Sequence, residues 1–89
     1  MPKPDNFDEW LSFFIRDHEV PLHNVIYEGV VDGQMLHVTY QQLFDKVRPY
    51  QGIRKRLRED FCRAAYTGES LDEVAHRIVQ EELIDNGHY

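Results

Sequence analysis

Val25-Ile26-Tyr27-Glu28-Gly29-Val30-Val31-Asp32-Gly33-Gln34-Met35-Leu36-His37-Val38-Thr39-Tyr40-Gln41-Gln42 is the stretch whose reading decides the fold. Val25 to Tyr27 with Val30-Val31, and then Met35 to Val38, are two β-branched and apolar runs on either side of Asp32-Gly33. Asp-Gly between such runs predicts a two-residue hairpin turn, because both central residues need positive φ. Directly after the second run, Thr39 with Gln42 three residues later forms a capping-box pattern, the start signal of a helix. A hairpin therefore feeds straight into a helix, and since a lone two-stranded sheet is marginal, it must pack on helices.

Working downstream, Tyr40, Leu43, Phe44 and Val47 give the apolar stripe of a short helix over 40–47, ended by Pro49. Residues 50–66 read as a longer helix, with Ile53, Leu57, Phe61 and Ala64 on one side. Gln51, Lys55, Arg58 and Cys62 point the opposite way, with Arg54 and Arg56 on the flanks. Gly68 supplies a left-handed residue past its end. Ser70 with Glu73 caps another helix, whose stripe is Leu71, Val74, Ala75 and Ile78, and Gly87 follows its end. Upstream, Asn6 with Glu9 predicts a cap for an aromatic-faced helix over 7–16 (Phe7, Trp10, Leu11, Phe14), which stops before Val20-Pro21. The fold class is α+β and mostly helical. Four helices accompany one two-stranded antiparallel hairpin, in the order α-β-β-α-α-α, as a single domain over 1–89.

Composition agrees with that size. Eighty-nine residues, 42% hydrophobic and 29% charged, lie in the globular range. A chain this short buries about 60–65% of its unfolded surface, so its core is small. The single cysteine, Cys62, excludes an internal disulfide. No apolar run approaches the ~18 residues a bilayer span requires. The opening Met1-Pro2-Lys3-Pro4-Asp5-Asn6 lacks a secretory layout, so a cytoplasmic location without membrane association is expected.

The formal charge of -6 hides a segregation. Residues 1–45 hold two basic side chains and eight acidic ones, and residues 59–89 hold Arg63 and Arg77 against eight acids. Between them, residues 46–58 carry Lys46, Arg48, Arg54, Lys55, Arg56 and Arg58 with no acid at all. Such a window either contacts a polyanion or is neutralised by its acidic flanks within the fold.

A short helix, a tight break and a second helix with an exposed basic face is the layout of a helix-turn-helix, in which the second helix enters the major groove. Residues 40–47 would support and residues 51–60 would read. Arg and Lys approach guanine, and Gln pairs with adenine, which makes Gln51, Arg54, Lys55 and Arg58 the groove-facing set. Lys46, Arg48 and Arg56 would meet phosphates, which hold register without reading sequence.

Thr39-Tyr40-Gln41-Gln42-Leu43 after a hairpin, Ile53-Arg54-Lys55-Arg56-Leu57, and Gly68-Glu69-Ser70-Leu71-Asp72-Glu73-Val74 together resemble small helix-turn-helix modules of phage and other mobile-element proteins. The resemblance covers about residues 25–76 and implies a small DNA-binding regulatory protein. Two features depart from that family's pattern. The turn Arg48-Pro49-Tyr50-Gln51 has no small residue, and the stretch Glu59 to Tyr66 makes the reading helix about two turns longer and brings Glu59 and Asp60 onto it.

The competing expectation is an acidic protein-interaction or inhibitor module. Trp, Phe and Arg are enriched at interface hot spots, so Trp10, Phe13 and Phe14 are the candidate partner-binding residues. Alternatively, Trp10, Phe7 and Phe14 simply form the core. A homodimer suits either reading, because paired copies read paired half-sites.

Catalysis and metal binding are not expected. Five histidines are scattered without paired ligand spacing, and Glu73-Val74-Ala75-His76 has no second copy to complete a bundle-type metal site. Cys62 sits among Arg58, Glu59 and Arg63, but nothing marks it as a nucleophile. No Gly-rich phosphate loop or nucleophile elbow is present, so no cofactor is expected.

Overall fold

A computed structural model describes residues 6–89; the opening segment read above for its leader layout, with Lys3 and Asp5, lies outside them. The elements are α1 (Phe7–Asp17), β1 (Val25–Val31), β2 (Gln34–Thr39), α2 (Tyr40–Val47), α3 (Gln51–Thr67) and α4 (Leu71–Ile78), the last continued by a π-helical segment over Val79–Ile84. The α+β class and the order of elements are as the sequence implies. No helix among the described residues is long and apolar enough to cross a membrane.

The strands form a two-stranded antiparallel sheet, with Val31 opposite Gln34 across the turn and Val30 opposite Met35. Asp32 and Gly33 have φ of 51° and 80°, the backbone that an Asp-Gly turn needs to match the strand twist. A bulge between Val25 and Tyr27 re-aims the first strand where Ile26 enters the core. Thr39 and Gln42 form the reciprocal capping box: the Gln42 amide donates to Thr39 Oγ1, and the Thr39 amide donates to Gln42 Oε1.

The other helix ends differ from expectation in informative ways. Asn6 does precede α1, but it is left-handed and makes no side-chain cap; its carbonyl accepts from the Trp10 amide. Ser70 likewise precedes α4 without a side-chain bond. At the far end of α1, Glu19 takes a positive φ of 50°, its amide donates to Arg16 and the Val20 amide donates to Ile15. That paired bonding ends a helix and drives the following residue inward, and Val20 is buried. Gly87 ends the C-terminal helix by the same device, with its amide on Ile84 and that of His88 on Leu83.

The core is built on α3. Phe61 is fully buried, and its ring lies 5.7 Å from Phe14 of α1, 5.9 Å from Phe44 and 6.5 Å from Tyr40 of α2. Leu57, Ala64, Val74, Ala75, Ile78, Val79 and Leu83 complete the interior. The π-helical segment explains the last of these. Bonding from i to i+5 brings residues five apart toward one side, so Ile78 and Leu83 both face the core. Tyr40 is buried with its hydroxyl donating to Asp72 Oδ1, tying α2 to α4. Burial first, and the Asp72 carboxylate second, push the Tyr40 hydroxyl pKa well above the ordinary tyrosine range.

Candidate functional site

Each turn of α3 presents the same pair of surfaces. Ile53, Leu57, Phe61 and Ala64 are buried, while Gln51, Lys55, Arg58 and Cys62 are exposed. The break before it is the segment Arg48-Pro49-Tyr50, where the Tyr50 amide donates to Val47 and the Arg54 amide to Tyr50. Proline cannot extend α2, so the chain restarts at Gln51 with the basic residues on the new helix.

The six cations of the basic window meet different fates. Arg48 places Nη1 2.6 Å from Asp8 of α1 and Nε 3.3 Å from Asp45 of α2. Arg56 binds Glu82 of the π-helical segment, with Asp60 at 3.4 Å and Glu81 at 3.5 Å. Arg54 donates from Nη1 to the Arg48 carbonyl, and its guanidinium lies 6.0 Å from the Phe7 ring centroid. Lys46 sits 4.6 Å from the centroid of the Tyr89 ring. Arg58 is exposed and lies over Trp10 at 5.5 Å. Lys55 projects into solvent. Among the described residues, neither Lys55 nor Arg58 has a carboxylate within ion-pair distance.

Of the residues expected to meet phosphates, Arg48 and Arg56 are already engaged: both guanidinium groups are held by acids of flanking elements. A paired guanidinium that meets a phosphate gives up or shares those bonds, which reduces the gain. The clamps at Asp8 and Glu82 are 40 and 26 residues away in sequence, so no spacing rule could have found them. Asp45 with Arg48 and Asp60 with Arg56, at i,i+3 and i,i+4, were within reach of helix spacing.

Gln51, Arg54, Lys55 and Arg58, by contrast, do come together. With Phe7 they line a cleft of about 170 Å³ where α1 meets α3. Phe7 stands beside Arg54, Trp10 beneath Arg58, and Phe14 against Phe61, so α1 runs parallel to α3 over three successive turns. Phe7 as a wall of this cleft went unnoticed in the sequence, where it reads only as part of an apolar stripe.

The three aromatic candidates separate by burial. Phe14 is corrected: it lies in the core against Phe61 and cannot reach a partner while α1 is packed. Trp10 is half-buried between Phe7 and Phe14, with ring centroids 5.8 and 5.1 Å away. Phe13 is 48% exposed and carries the Arg16 guanidinium at 4.9 Å.

Elsewhere, His76 pairs Nδ1 with the Ile26 carbonyl and its ring lies 5.0 Å from Tyr27, which pins α4 to β1. No group of three His, Cys, Asp or Glu side chains among the described residues is placed to hold a metal ion. Comparison of this chain with protein-family models, with curated proteins and with solved structures finds no match.

Proposed function

We propose that this chain is a non-enzymatic protein-interaction module that docks a partner on the composite surface of α1 and α3, with Trp10, Phe13, Lys55 and Arg58 at its centre. The observation that carries the reading is the parallel alignment of α1 along α3, with Trp10 seated under Arg58. A major groove about 12 Å wide takes one helix about 10–12 Å across. With α1 alongside for three turns, α3 does not stand alone on this surface. What the two helices offer together is a shallow aromatic and cationic surface, rich in the residue types that dominate protein–protein hot spots.

A nucleic-acid-binding regulator, as the helix-turn-helix resemblance implies, remains the second reading. It is favoured by one observation, that Gln51, Lys55 and Arg58 share one exposed face of α3. Capture of partners from host cells, with and without nuclease, separates the two. Nuclease-resistant capture that is lost in Phe13→Ser and kept by wild type is the expected result. Duplex DNA binding that weakens steeply with salt and vanishes in the double variant Arg54→Glu/Arg58→Glu would overturn it in favour of nucleic acid.

A further inference from the structure

The cleft at the α1–α3 seam has a size and a charge that specify an occupant. About 170 Å³ is room for one apolar side chain, well below the roughly 300–1,000 Å³ of a drug-sized ligand site. Phe7 supplies one aromatic wall, and Arg54, Lys55 and Arg58 lend their methylene stems to the others. Lys55 and Arg58 hold their charges at its rim with no carboxylate partner among the described residues, one helical turn apart.

The cationic stretch is also short. On one side Arg48 is already occupied by Asp8 and Asp45. On the other, exposed Glu59 follows Arg58 directly, and Asp60 bridges Arg56 and Arg63. Duplex DNA carries one charge per about 1.7 Å of its axis, so phosphates beyond the first few would face these carboxylates. One or two carboxylates beside an apolar anchor would not.

Resting on the reading of this surface as a protein-docking site, we propose that it captures an acidic peptide segment of its partner. One apolar side chain enters the cleft against Phe7, and flanking carboxylates accept charge-assisted hydrogen bonds from Lys55 and Arg58.

Trp10 is the chain's single tryptophan and lies under Arg58, so its fluorescence reports occupancy directly. The probe is a capped pentapeptide with one central leucine and two aspartates on each side. Binding with a dissociation constant of about 1 mM or tighter is expected. Replacing the aspartates by asparagines, or the leucine by serine, should weaken it at least about tenfold. The double variant Lys55→Glu/Arg58→Glu should lose the aspartate peptide and prefer its lysine counterpart. No Trp10 response up to 10 mM peptide, asparagine and aspartate peptides binding within about twofold, or a short duplex DNA outcompeting the peptide, would each overturn the inference. If Phe13→Ser abolishes nuclease-resistant capture while Lys55→Glu/Arg58→Glu retains it, the docking reading stands and the acidic-peptide inference falls.

Discussion

One side of α3 and the other are made of equally regular sequence, yet they differ in what a neighbour can do to them. On the inner side, Ile53, Leu57, Phe61 and Ala64 meet side chains from α1, α2 and α4, and each apolar residue contributes by leaving water. On the outer side, the cations do not act as a block. Arg48, in the break before α3, and Arg56, on its flank, are drawn to acids of neighbouring elements, whereas Lys55 and Arg58 on the crest stay exposed without a carboxylate partner among the described residues. Apolar burial is non-directional, so a whole stripe shares one fate. An ion pair needs a particular carboxylate within a few ångströms, so each cation is decided separately.

The largest expected effect breaks the inner side. Phe61→Ala removes the ring that Phe14, Tyr40 and Phe44 pack around, and should destabilise the fold by about 3–5 kcal/mol in urea unfolding. In so small a domain that change approaches the whole stability. The next tests the flank. Arg56→Gln leaves Glu82, with 20% of its side-chain surface exposed, without its cation, and leaves Asp60 with Arg63 alone. A loss of about 1–2 kcal/mol is expected, reduced because Arg56 itself is partly solvated. By comparison, Arg48→Gln at the exposed Asp8 pair should cost under about 0.5 kcal/mol.

Tyr40→Phe deletes the hydroxyl bond to Asp72 and should cost about 0.5–1.5 kcal/mol near neutral pH. It also carries a pH signature. Burial holds the folded-state pKa of Tyr40 above its unfolded value, so the stabilisation is complete below about pH 10 and is lost as pH rises further. Burial raises Tyr89 in the same direction. Unfolding free energy should therefore fall above pH 10 by up to about 1.4 kcal/mol per pH unit per tyrosine kept protonated, and Tyr40→Phe should flatten that fall. At the crest the expected stability effect is also small. Lys55→Glu/Arg58→Glu should shift unfolding by no more than about 0.5 kcal/mol per site while changing recognition.

Particular residues show how much of this was legible. The hairpin was readable because Asp32-Gly33 is a local backbone requirement, and α2 because Thr39 and Gln42 cap it within four residues. The exposed set of Gln51, Lys55 and Arg58 followed from helical period alone. Asn6 failed as a side-chain cap because the same residue type also tolerates left-handed backbone, which it adopts here. Glu19 ends α1 where only Pro21 signalled a stop. The π-helical turn over Val79–Ile84 has no sequence mark, and across it Ile78, Val79 and Leu83 all stay buried.

Order of elements, the inner stripe of α3, the turn at Asp32-Gly33 and the concentration of charge in residues 46–58 were determined by the sequence alone, because each rests on interactions within about four residues or on periodicity. Only the tertiary structure decided that α1 lies along α3, that Phe14 is core while Phe13 is surface, and that Asp8 and Glu82 hold Arg48 and Arg56. Those outcomes depend on which elements come side by side, and that is set by the packing of the whole core around Phe61 rather than by any local rule.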